Sequence, residues 1–208
     1  MRVIALDLDG TLLDCKERQS LLAASLCRAS GIVLNIELFW SAKREGATTT
    51  SAILEQGIDV AFATKLSKLW TTHVESEAWL QMDRLFPGVM RALQDARKLG
   101  IRLHLVTART NECALRRQLH WLSIDPFFDH VEVVCPREAA QQKAKYLSVS
   151  MPDLYIGDSE TDAIAAKAAQ IRFLAVTSGQ RSAAYLQSRT DINVKDLKFD
   201  FTEVMRGI

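Results

Sequence analysis

The stretch that most limits the folds open to this chain is its beginning. There Val3-Ile4-Ala5-Leu6-Asp7-Leu8 runs almost unbroken as an apolar segment into Asp9 and Gly10. A continuous apolar run, unlike an alternating one, describes a strand buried on both faces, the kind that parallel sheets contain. In an open parallel sheet, ligands bind in the crevice beyond the carboxyl ends of the strands. Asp7 and Asp9 therefore stand where chemistry is expected. They are two residues apart, so both face one small site only if the backbone curls just after Asp7. Gly10 permits that curl because it has no Cβ to clash. Taken alone, two aspartates at a strand end are equally an ordinary solubilising turn.

The rest of the chain repeats the pattern. Apolar runs at Ile101–Val106, Val131–Cys135, Leu154–Gly157 and Arg172–Val176 alternate with helical spacing at Pro87–Leu99, Asn111–Leu122, Glu138–Leu147 and Ala163–Ala169. Strand alternating with helix predicts an α/β fold: a Rossmann-like, doubly wound parallel sheet of five core strands. Between Asp14 and Leu85 no strand pattern is seen. Helices are predicted over Glu17–Ser30, Ile36–Arg44 and Ser51–Gln56, then a long one from Val60 to about Trp79 with Asp59 as its cap. Residues 15–85 are too many for an ordinary loop. They are expected to form a helical cap domain inserted into a core made of residues 1–14 and 86–208. The tail is expected to add a helix over Ser182–Ser188 and a short return against the sheet.

Three further strand ends or helices carry chemistry. Val106-Thr107-Ala108 offers a hydroxyl and, at the following helix N-terminus, backbone N–H groups, a set that suits a phosphate oxygen. Arg109 is near enough in sequence to contact a substrate, though an ordinary surface arginine fits as well. Gln142-Lys143-Ala144-Lys145 offers a cation to offset clustered carboxylates. Asp158-Ser159-Glu160-Thr161-Asp162 again follows a buried run and brings two carboxylates together on one turn entering a helix. Glu160 is read as facing solvent or standing behind the site.

The string Asp7-Leu8-Asp9-Gly10-Thr11-Leu12-Leu13-Asp14 resembles motif I of the haloacid dehalogenase superfamily, most of whose members are magnesium-dependent phosphatases. Thr107 resembles its motif II, and the GDxxxD of Gly157 to Asp162 resembles its motif IV. The resemblance spans nearly the whole chain, in the family's order. It implies a phosphatase with a small helical cap, similar to phosphoglycolate phosphatases and β-phosphoglucomutases. The Lys-Pro form of the lysine motif, common in the former, is absent. The roles it implies are a nucleophile at Asp7, a general acid/base at Asp9 and phosphate ligands at Thr107 and Ala108. Lys143 is the favoured motif lysine, because Leu147 follows four residues on; Lys145 is the alternative. Mg²⁺ would be held by Asp7, Asp158 and the Asp9 carbonyl, with Asp162 binding it or orienting its water, in keeping with that ion's preference for oxygen donors. Lys43, Arg44, Gly46 and Thr48 lie in a stretch that resembles the substrate loop of small helical caps; the alternative is an interhelical turn. Asp9 argues against the dehalogenase branch. A phosphomutase, or an idle binding protein on this fold, is the alternative function.

Composition narrows the partners. A net charge of +1 with scattered Lys and Arg gives no basic footprint for nucleic acid or an anionic membrane. No stretch reaches the roughly 18 apolar residues of a membrane span. No charged-then-apolar leader is seen. Cys15, Cys27, Cys113 and Cys135 lack metal-site spacing and read as reduced thiols of a cytoplasmic protein. The expected partner is a small-molecule phosphate ester, bound by a monomer or homodimer.

Overall fold

The computed structural model describes residues 2–189. The chain runs β1 (Val3–Leu6), β2 (Leu13–Asp14), five helices α1 (Lys16–Arg28), α2 (Ile36–Arg44), α3 (Thr49–Leu54), α4 (Val60–His73) and α5 (Glu77–Leu80), then β3 (Arg84–Leu85) and α6 (Val89–Lys98). It continues through β4 (Arg102–Ala108), α7 (Glu112–Trp121), β5 (His130–Val134), α8 (Ala139–Ser150), β6 (Leu154–Gly157), α9 (Glu160–Ala169), β7 (Phe173–Ala175) and α10 (Ala183–Arg189).

Five strands form one parallel sheet in the order β5-β4-β1-β6-β7. β1 lies at its centre, and Ile4, Ala5 and Leu6 are fully buried. The continuous apolar run is thus explained by cover on both faces. Ile4, Leu6, Leu103, Leu105 and Ile156 meet Val89 and Leu93 of α6 and Leu115 and Leu119 of α7 on one face. Ala5, Val106 and Tyr155 meet Leu147 of α8 and Ala165 and Ala166 of α9 on the other. Each fully buried leucine of this kind adds about 1.5–3 kcal/mol of transfer free energy. The chain passes from β1 outward through β4 to β5, and later returns to the opposite side of β1 for β6 and β7. The switch in direction falls at β1, and the crevice at its carboxyl end opens there.

The helices between β2 and β3 pack on each other around Ala23, Cys27, Phe39, Ile53, Ala63 and Leu66. Side-chain caps start three of them: Asn35 accepts from Glu37 N and Leu38 N, Thr48 from Ser51 N, and Asp59 from Phe62 N. Two expectations are corrected. The helix expected to run from Val60 to Trp79 breaks at Val74–Ser76, because Arg18 takes the Val74 carbonyl (3.1 Å) and Glu75 turns out to receive Thr110 N and Asn111 N. The region was also expected to lack strands up to Leu85, yet Arg84–Leu85 pairs antiparallel with Leu13–Asp14. Two-residue strands leave no periodicity to read. The tail helix is present as α10, and the expected return beyond it lies outside the described residues. Among the described residues no helix is long and apolar enough to cross a membrane.

Candidate active site

A cleft of about 200 Å³ lies at the carboxyl ends of β1, β4 and β6. It is lined by Asp7 and Asp9 after β1, Thr107 and Ala108 at the end of β4, Lys143 on α8, and Asp158 and Asp162 after β6. Seven residues singled out in the sequence thus meet at one place. Gly10, in the left-handed region at φ 84°, makes the curl that separates Asp9 from Asp7. A Cβ on Gly10, or on Gly179 opposite, would collide with the Asp158 carboxylate. Two glycine turns therefore cradle that carboxylate.

Of the two candidate lysines, Lys143 is the one that lines the cleft. Its Nζ donates to Asp7 Oδ1 (2.7 Å) and to Asp162 Oδ1 (2.6 Å), and the residue is buried. Asp162 is held in turn by the Tyr155 hydroxyl (2.6 Å) on Oδ1 and by Ser159 Oγ (2.6 Å) on Oδ2. Ser159 and Asp162 form the capping box that starts α9. The same residues that begin the helix therefore aim the lysine at Asp7.

Asp7, Asp158 and Asp162 each present an oxygen within 4.8 Å of the others, all three buried. Three carboxylates face one ammonium. Burial raises the Asp7 carboxyl to about 7, although Lys143 pulls it down. Burial, with Asp7 and Asp162 nearby, pushes Asp158 well above the carboxylate range. Burial also penalises the Asp162 anion, but Lys143 and the Ser159 and Tyr155 hydrogen bonds outweigh it and hold Asp162 low. Excess negative charge, hard oxygen donors and a glycine cradle fit a divalent cation such as magnesium.

Asp9 has a different environment. Its Oδ1 accepts from Arg18 Nη2 (2.6 Å) and Arg109 Nη2 (2.8 Å). Despite the cost of burial, the two guanidinium groups hold its carboxyl below the usual range. Arg109, equally readable as a surface residue, is buried here. Arg18 was missed. The available signal was a cation four residues before Leu22 on the apolar face of α1. Glu160 pairs with Arg181 (2.7 Å), a residue that also lines the cleft.

The substrate-loop candidates do not line the cleft. Lys43 is buried, donates to Thr49 Oγ1 (3.4 Å) and lies over the Trp70 ring. Burial and then Arg181 lower its ammonium to about 8. Arg44 donates to the carbonyls of Gly179 (2.6 Å) and Thr177 (2.9 Å). Gly46 has no room for a Cβ against the Tyr185 ring, and the Thr48 hydroxyl caps α3.

The haloacid dehalogenase-like hydrolase family model matches residues 1–170, and a HAD-hydrolase-like model matches residues 144–199. The chain belongs to the haloacid dehalogenase-like hydrolase family. A phosphoglycolate phosphatase of Rhodobacter capsulatus is 29% identical over 191 residues, covering 84% of each chain. The fold is shared with a haloacid dehalogenase-like protein of Streptococcus pneumoniae (TM-score 0.74, 19% identity, 100% and 98% of the two chains). It is shared equally with a predicted phosphoglycolate phosphatase of Haemophilus somnus (TM-score 0.74, 20% identity, 99% and 98%).

Proposed function

We propose that this hydrolase cleaves small-molecule phosphate monoesters through an aspartyl-phosphate at Asp7, with Mg²⁺ as cofactor. The observation that carries the reading is the placement of Asp7: buried at the end of the central strand, open to the cleft, and bound through Oδ1 by Lys143. An Asp7 oxygen attacks phosphorus as the bond to the leaving oxygen breaks. Asp9 gives that oxygen a proton, acting from its minor protonated form because its two arginine partners favour the anion. Asp9 then takes a proton from the water that attacks the phosphoryl group, which returns Asp7 to a carboxylate. Thr107 and the Ala108 amide hold phosphoryl oxygens, and Lys143 offsets their charge.

Asp7 and Asp158 would hold magnesium, with the Asp9 carbonyl; Asp162 stands behind them, orienting Lys143. Bound there, the cation would neutralise phosphate charge and align phosphorus with the nucleophile. The helices over residues 15–85 act as a cap on the core of residues 1–14 and 86–208. Phosphate release from p-nitrophenyl phosphate, with and without Mg²⁺, beside Asp7→Asn, tests the proposal. Magnesium-dependent turnover that vanishes in the variant is expected. Equal turnover in both proteins would overturn it.

A further inference from the structure

Five side chains close a ring of hydrogen bonds around the acid/base carboxylate. Arg18 Nη2 and Arg109 Nη2 both donate to Asp9 Oδ1. Arg18 Nε donates to Asp83 Oδ1 (2.9 Å), Gln118 Nε2 to Asp83 Oδ2 (2.7 Å), and Arg109 Nη2 to Gln118 Oε1 (3.1 Å). The ring joins the turn after β1, helix α1, the residue before β3, helix α7 and the end of β4. Every member except Asp9 is at least nine-tenths buried.

Stability explains part of the ring. Arg18 uses all three nitrogens, on Asp9, Asp83 and the Val74 carbonyl. Arg109 is harder to explain in this way. Its Nε and Nη1 are buried and have no acceptor among the described residues. Buried donors left unpaired cost stability. The contacts this guanidinium does make are to Asp9 and to the glutamine that closes the ring. Asp9 itself takes both arginines on one oxygen; Oδ2 receives no hydrogen bond from the described residues, while the residue lines the cleft.

We infer that Arg18 and Arg109 are positioning residues: together they pin Asp9 Oδ1, fix the carboxylate's rotation and leave Oδ2 as the oxygen that carries the proton. The inference rests on the acid/base role proposed for Asp9. A carboxylate held at one oxygen by two planar donors cannot swing without breaking both contacts. Proton transfer requires that oxygen within hydrogen-bond reach of the leaving group. A shift of about 1 Å in such a group can cost on the order of 10²-fold in rate.

The test is the dependence of rate on the leaving group. p-Nitrophenolate departs without a proton, whereas an alkoxide needs one. Steady-state kcat and KM are measured on p-nitrophenyl phosphate and on simple alkyl phosphates for wild type, Asp9→Asn, Arg18→Gln, Arg18→Lys, Arg109→Gln and Arg109→Lys. Circular dichroism reports folding. Asp9→Asn should lose about 10²-fold or more in kcat on alkyl phosphates beyond its loss on the aryl ester. The arginine variants that fold should show the same selective loss in kcat, on the order of 10-fold or more, with KM little changed. Lysine keeps the charge at either position but cannot close the ring, so it should rescue the selectivity only in part. Equal losses on both substrate types in the arginine variants, or no loss, would overturn the positioning role while leaving Asp9 as the acid. Failure of all four to fold would show that the ring is structural, which also overturns it. No selective loss in Asp9→Asn would instead overturn the acid/base reading beneath.

Discussion

The sheet with its cleft and the inserted helices are built differently. On the sheet side the charged side chains stand at strand ends and pair within hydrogen-bond distance: Lys143 with Asp7 and Asp162, Asp162 with Tyr155 and Ser159. On the helical side, polar groups are buried with little to satisfy them. Gln19 Oε1 and Ser20 Oγ have no partner among the described residues, and Lys43 has one long hydrogen bond and no carboxylate in direct contact among them. The sheet side keeps an excess of carboxylate charge that a divalent cation would balance. The helical side holds a buried cation away from the cleft, over the Trp70 ring. The comparison teaches that charge at the cleft is held by mutual pairing, whereas the buried Lys43 in the helices is held mainly by packing.

The largest effect should come from the sheet side. Asp7→Asn should lower kcat by on the order of 10⁴-fold or more, read as phosphate release. Lys143→Met should lower it by about 10²–10³-fold. Because that variant leaves buried carboxylates uncompensated, thermal denaturation should also show about 3–5 kcal/mol of lost stability. An unchanged melting temperature would mean that the Asp7–Lys143–Asp162 cluster is not the tight unit described.

Metal-free protein offers a third test. The Asp7 carboxyl is raised from 3.8 to about 7, and Asp158 is raised too. Raised acids stabilise the fold when protonated, so that contribution is whole below the unfolded value and is lost as pH rises through the folded one. Asp9 and Asp162 are held low, and their contribution is constant across that window. The melting temperature without metal should therefore fall as pH rises from about 4 to 7. The increase caused by Mg²⁺ should grow over the same range. A flat profile would argue against the buried acid cluster.

Smaller effects belong to the helical side. Lys43→Met should leave kcat/KM on p-nitrophenyl phosphate within about 3-fold of wild type, because the side chain is buried off the cleft, and a larger loss would place it in the site. Thr48→Ala should cost roughly 1 kcal/mol through the cap of α3 and leave kcat close to wild type.

The same division decides what could be read from sequence. β1, β4 and β6 were legible because burial on both faces leaves an unbroken apolar run, and Asp7, Thr107 and Asp158 mark where those runs end. Lys143 was legible from Leu147, one helical turn on, which is buried beside it. Arg18, Asp83 and Gln118 were not, since their partners lie 9 to 65 residues away and no local period records such pairing. The short strand Arg84–Leu85 and the break before α5 escaped for the same reason. Each is fixed by a contact made elsewhere in the chain, not by its own residues.

The central claim, that Asp7 accepts the phosphoryl group, is tested most directly by trapping. Wild-type protein turning over a phosphate ester with Mg²⁺ is quenched in acid, reduced with borohydride and digested for peptide mass spectrometry. Conversion of Asp7 to homoserine, only when substrate is present, is the predicted result. Steady turnover with Asp7 unmodified, or trapping at another carboxylate, would contradict it.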